Sequence, residues 1–158
     1  MRSIGRVFRG LVRGPRARKV ERLAGRLHDA WRTGCRLPGG GYEPRIRTTA
    51  DRAWARRHGA DRVDIANTGY RDLPADWQRE NRESAVVAVR LVTEGRRLGA
   101  DLYGEEFMES ASHAVHEAWL SRNGRRASPE QRLPYRLLPE AEKEKDRLVV
   151  RLALELWS

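Results

Sequence analysis

Two short stretches decide the reading of this chain: Leu27-His28-Asp29-Ala30-Trp31 and Val115-His116-Glu117-Ala118-Trp119. In both, apolar residues stand at helical spacing around a His and a Trp three positions apart, so the two rings share one side of a helix. A second pair follows in the same order, Tyr70-Arg71-Asp72-Leu73-Pro74 and Tyr135-Arg136-Leu137-Leu138-Pro139. Proline just ahead of an apolar-periodic run is a helix-opening signal. Beyond the prolines, Asn81-Arg82 aligns with Asp146-Arg147 without a gap, and Ala85, Val89 and Leu91 align with Val150, Leu154 and Leu156. The chain therefore contains one unit twice.

Working outward, the first helix is expected from Val20 through Leu23, Ala24, Leu27 and Trp31, with Gly34 as its stop. Cys35 to Tyr42 reads as a glycine-rich loop. A short helix over residues 51–57 is expected to take Thr48 or Thr49 as its cap, Trp54 as its anchor and Gly59 as its exit. Val63 and Ile65 predict a short extended piece. Pro74 opens a helix that runs to about Leu98 and buries Ala85, Val89 and Val92, ended by Gly99. A third long helix spans about 104–122, stopped by Asn123-Gly124. Ser128-Pro129-Glu130-Gln131 resembles a capping box for one turn. Residues 133–136 read as extended, and the last helix, opened by Leu138-Pro139-Glu140, is expected to bury Leu148, Leu152 and Leu156.

The expected fold is thus mainly α with short extended strands, in two pseudo-symmetric helical-hairpin halves around a shared core, because one hairpin alone leaves its apolar stripe exposed. Residues 1–18 form a basic amphipathic segment and 19–158 the duplicated domain, with a first half over 19–99, a long insertion at 35–69 and a second half over 100–158. The halves differ mainly between Trp and Tyr, where the first carries 38 residues and the second 15.

Composition narrows function less than pattern does. The 158 residues hold 32 Lys+Arg against 22 Asp+Glu, a formal net charge of +10, and nearly all the cations are arginines. Arginine's planar fork suits phosphate and carboxylate, so anionic partners are favoured, although a basic composition is also what a GC-rich genome yields. In the N-terminal segment, Arg2, Arg6, Arg9, Arg13, Arg16 and Arg18 surround an apolar face weakened by glycines. Such a segment can be a tail without a partner, or can order on nucleic acid or a membrane surface. The single Cys35 forms no internal disulfide, and no Cys/His cluster has zinc spacing, so no metal or cofactor is expected and a reducing cytoplasm is the simplest setting. No run of ~18 apolar residues predicts a membrane span.

From Met108 to Trp157 the second half, through Val115-His116-Glu117-Ala118-Trp119 and Pro134-Tyr135-x-x-Leu138-Pro139-x-x-Glu142-Lys143-x-x-Asp146-Arg147, resembles the ryanodine receptor repeat domain. The first half resembles it more loosely, with Trp77-Gln78 where the second has Glu142-Lys143, and with Gly41-Tyr42-Glu43-Pro44 in the loop that the second half shortens. The resemblance implies a compact helical fold of two pseudo-symmetric halves, and stand-alone members of the type look like small-molecule sensors, with nucleotide-derived ligands.

Catalytic motifs are missing: there is no Gly-x-Ser-x-Gly, no Gly-rich phosphate loop and no His-Glu-x-x-His, so an enzyme is not expected. The expected function is a non-enzymatic ligand-binding or sensor module for an anionic, nucleotide-like small molecule. The alternative is a basic nucleic-acid-associated or protein-interaction scaffold working through the N-terminal arginines, and a homo-oligomer is compatible with either. Candidate ligand-binding residues are His28, Trp31, Tyr42, Arg45, Trp54, Tyr70 and Arg82 of the first half, and His116, Trp119 and Tyr135 of the second. Each also has a structural role open to it. The histidines can position a turn, the tyrosines can pack beside the prolines, and the insertion can simply cover the core.

Overall fold

In the computed structural model, which describes residues 14–157, apolar spacing has produced four long helices and one small appendage. Helix α1 spans Pro15–Thr33, α2 Arg52–His58, α3 Ala75–Leu98, α4 Glu105–Asn123 and α5 Glu140–Leu154. Pro15 stands in the first turn of α1, where its missing N–H costs nothing. Helix α1 begins ahead of position 19, so Arg16 and Arg18 belong to it, while Arg2, Arg6, Arg9 and Arg13 lie outside the described residues.

Helices α1, α3, α4 and α5 share one core. Leu23 and Ala24 of α1 meet Ala85, Ala88, Val89 and Val92 of α3, Ala111 and Val115 of α4, and Val150, Ala153 and Leu154 of α5. Each half forms a hairpin, α1 on α3 and α4 on α5, and the two hairpins join through α3 against α4 and α5. The join is close at Gly95, where a Cβ would stand 2.7 Å from both Leu102 and Phe107 side chains. The buried face of α5 differs from expectation. Leu152 and Leu156 are only partly buried and Leu148 lies outside the cluster, because Val150, Ala153 and Leu154 face the other helices.

The insertion between α1 and α3 builds a second, smaller core. Strands β1 (Ile46–Thr48) and β2 (Arg62–Asp64) pair antiparallel with Arg47 opposite Val63, and Trp54, Val63, Ile65 and Leu73 cluster beneath them. The cap of α2 is Asp51 rather than a threonine: one carboxylate oxygen accepts the Trp54 N–H at 2.9 Å, the other the Ala75 N–H at 3.0 Å. One side chain thereby caps α2 and reaches the first residue of α3, and the Ala75 and Trp54 N–H groups hold its pKa below the usual carboxylate value. Thr49 is engaged elsewhere, donating its hydroxyl to Asp76 at 2.6 Å.

Ahead of α3 and α5 the chain makes one 3-10 turn in each half, at Tyr70–Asp72 and Tyr135–Leu137, each followed by a buried leucine, Leu73 or Leu138, and by the capping proline. The extended reading of 133–136 is thus corrected, since Leu137 and Leu138 donate back to Pro134 and Tyr135 carbonyls. Ser128 and Gln131 do exchange the two reciprocal bonds of a capping box.

The two faces of the core give a direct test. Leu23→Ala, at a fully buried position, is expected to cost about 2–5 kcal/mol in urea unfolding, and Leu148→Ala less than about 1 kcal/mol.

Candidate functional site

The duplicated residues first of all build two equivalent locks. In the first half, Glu21 of α1 accepts the Tyr70 hydroxyl at 3.1 Å and the Arg82 Nε–H at 2.6 Å. In the second, Glu109 of α4 accepts the Tyr135 hydroxyl at 3.2 Å and a two-pronged contact from Arg147 at 2.6 and 3.1 Å. Glu21 and Glu109 each precede the repeated histidine by seven positions, two turns along the same helix face. Arg147 holds Glu109 below the usual carboxylate pKa, and burial pushes both tyrosines up.

The histidines repeat as faithfully. His28 Nε2 donates to the Thr68 carbonyl at 2.8 Å and His116 Nε2 to the Leu133 carbonyl at 3.2 Å, each two residues before its tyrosine. A carbonyl only accepts, so in the neutral ring this bond leaves Nδ1 as the acceptor. Desolvation by burial lowers the His28 pKa, the Thr68 bond opposing it. Each histidine also stacks on its own tryptophan, with centroids 5.8 Å apart for His28–Trp31 and 6.4 Å for His116–Trp119.

What the copies do not share is the residue facing Nδ1. In the second half Asp146 stands 3.3 Å from His116 Nδ1, with its side chain only 14% exposed. Burial, with Glu142 adding to it, pushes the Asp146 carboxyl up to about 7. In its protonated form it can donate to that nitrogen. The corresponding Asn81 instead donates to the Trp77 carbonyl at 3.3 Å.

Two adjoining cavities, each about 340 Å3, open on either side of Trp31 and Trp119, which line both. The first-half cavity adds His28, Trp77, Asn81 and Arg47; the second-half cavity adds His116, Glu142, Lys145 and Asp146. Trp31 is 42% exposed, a large indole left facing this crevice. The two walls differ in charge at matching positions, since Trp77 and Asn81 of the first half stand where Glu142 and Asp146 stand in the second.

Of the sequence-selected residues, the structure brings His28, Trp31, His116 and Trp119 together at this crevice. Tyr70 and Arg82 line a separate groove with Glu21. Tyr135 is buried, 3% exposed, with its hydroxyl on Glu109. Trp54 is a core residue: its indole N–H donates to the Asp72 carbonyl at 2.9 Å, and its ring stacks on His58 at 3.9 Å. Tyr42 lies under the Arg32 guanidinium, 4.3 Å from its centroid, and Arg45 pairs with Glu43 at 2.8 Å; neither lines the crevice. Sequence reasoning missed Glu21, Glu109 and Trp77. The two glutamates carried a signal, their equal offset from His28 and His116. Among the described residues, no cluster of His, Cys, Asp or Glu has metal-binding geometry, and no helix is long and apolar enough to cross a membrane.

Comparison with protein-family models, curated proteins and solved structures finds no match to this chain.

The Asp146 contact makes stability pH-dependent. A carboxyl at about 7 when folded and about 3.9 when unfolded holds its proton more tightly in the folded state, so stability declines as pH rises from about 4 through 7. Asp146→Asn, which installs the first-half residue, is expected to raise unfolding stability at pH 8 by roughly 1–3 kcal/mol and to leave it unchanged near pH 4. Equal effects at both pH values in urea titrations would show that the carboxyl is not the titrating group.

Proposed function

We propose that this protein is a non-enzymatic binding module of the ryanodine receptor repeat type, acting in the cytoplasm, whose crevice around Trp31 and Trp119 takes an anionic, nucleotide-like small molecule. The observation that carries the reading is the crevice itself. Three indoles, Trp31, Trp77 and Trp119, line one cavity together with Arg47, Glu80 and His28. A planar base gains stacking from indole faces without needing a particular sequence of hydrogen bonds, and a guanidinium at the rim complements phosphate. His28, which lines the same cavity, is held by its Nε2–H on the Thr68 carbonyl, which leaves Nδ1 as the ring's acceptor.

The second-half wall suits the other end of such a ligand. Asp146 and Glu142 offer acceptors for an exocyclic amine, and Lys145 lies beside them. The duplicated family motif supports the same reading, since the repeated histidines and tryptophans converge here while the remaining repeated residues are consumed in the locks.

The test is native mass spectrometry of the purified protein, followed by titration of a nucleotide panel monitored through quenching of tryptophan fluorescence. A ligand at the crevice is expected to quench strongly, and Trp31→Ala to weaken binding at least tenfold, about 1.4 kcal/mol, without loss of the folded signal. Salt-sensitive nucleic-acid binding that survives Trp31→Ala, with no nucleotide quenching, would overturn the sensor reading and favour a scaffold working through the basic N-terminal segment.

A further inference from the structure

The two halves treat their repeated tyrosines differently. In the second half the Tyr135 ring is covered: the His113 imidazole stacks on it at 5.5 Å and 14° between planes, and the Lys143 ammonium stands 5.9 Å from its centroid. In the first half, Gly25 occupies the position of His113, and Gln78 that of Lys143. Gln78 turns its amide N–H groups to the Tyr70, Arg71 and Leu73 carbonyls, all at 3.1 Å. A Cβ on Gly25 would lie 3.6 Å from the Tyr70 ring, so the glycine stands directly against it with no side chain to cover it.

Both covering groups are thus lost over Tyr70, and the space they vacate is a groove of about 780 Å3. Its charge is set by four arginines and two acids. Arg82 is taken by Glu21 and Arg26 by Glu155, while Asp29 pairs with Arg32 at 3.3 Å. Arg22 and Arg71 form no ion pair among the described residues, and both are exposed at the groove. The result is an uncovered aromatic face held rigidly by the Glu21 lock, with two unneutralised guanidiniums beside it.

We propose that this groove is a second binding site, for a mononucleotide whose base stacks on Tyr70 over Gly25 and whose phosphate is held by Arg22 and Arg71. His113 on Tyr135 is the internal template, a planar nitrogen heterocycle on the same ring in the same lock. Of the residues lining the groove, none lines the Trp31/Trp119 crevice, so the two sites stand or fall separately.

Titration of the full chain with AMP, followed by amide NMR, reads the groove directly through the Gly25 and Gly69 signals. Saturable shifts at both are expected with AMP, at least tenfold weaker with adenosine or with inorganic phosphate alone. Gly25→His, which copies the second half, is expected to keep or raise the melting temperature and abolish the shift at Gly69. Trp31→Ala is expected to leave it unchanged. Arg22→Ala/Arg71→Ala, at exposed positions, provides a second route and is expected to weaken AMP at least tenfold. The absence of saturable shifts with AMP, or AMP binding unchanged in the double arginine variant, overturns the proposal. Phosphate binding as tightly as AMP overturns the stacking role of Tyr70. A 5′-phosphorylated tetranucleotide binding more than tenfold tighter than AMP would assign the groove to strand ends, and one binding no tighter to the free nucleotide; either outcome supports the stacking site.

Discussion

The contact on which the architecture turns is the carboxylate of Glu21, or of Glu109, held between a tyrosine hydroxyl and an arginine from the following segment. Each helix hairpin is joined by a connection that stays out of the four-helix core, 38 residues in one half and 15 in the other between Trp and Tyr. Apolar burial alone would not fix how the second helix slides along the first, since a hydrophobic stripe tolerates shifts of a turn. The lock does, because a half-buried carboxylate that loses its cation costs more than an exposed one. Arg82 and Arg147 sit at equivalent places beyond the prolines, so register is set identically in both hairpins whatever the length of the chain between them.

That division of labour explains how the first half accommodates its insertion. Residues 35–69 do not enter the four-helix core. They make a small cluster of their own around Trp54, tied down by Asp51 and Asp76, which between them bond α2, the β1–β2 connection and the start of α3. A functional role for Trp54 was a reasonable reading of an aromatic within a long arginine-bearing loop. A segment of this length also needs an apolar anchor, and Trp54 is it.

The helices were legible because the apolar residues recur at three- and four-residue steps and because Gly34, Gly99, Pro74 and Pro139 mark their ends. The strands β1 and β2 were harder to read. Each has three residues; in β1, Ile46, Arg47 and Thr48 are all exposed and show no alternation, and in β2 only Val63 is buried, so β1 is defined by its pairing with the extended piece that Val63 and Ile65 announce. Which leucines of α5 face inward was misread for a related reason: its face is set by where α3 and α4 stand, and a sequence rich in apolar residues offers more than one stripe. The candidate site was partly legible. His28, Trp31, His116 and Trp119 were found by repetition, yet the convergence of the two tryptophans on one crevice, and the presence of Arg47 and Trp77 beside them, follow from tertiary packing alone.

Repetition within one chain offers an internal control that a single-copy domain lacks. Positions where both copies carry the same residue and the same partner, as with Glu21 and Glu109 or His28 and His116, are explained by the hairpin itself. Positions where one copy departs while the lock is kept are free of that explanation. Gly25 against His113, Gln78 against Lys143 and Asn81 against Asp146 are three such departures, and each lies at a cavity or groove rather than in the core. In the second half the alternatives cover a ring and face an imidazole; in the first, Gly25 leaves a tyrosine face beside a groove and Asn81 bonds the Trp77 carbonyl instead of the imidazole. A glycine in mid-helix is intrinsically costly relative to the histidine its counterpart carries. Gly25 in α1 is therefore better accounted for by what it leaves uncovered than by any demand of the fold.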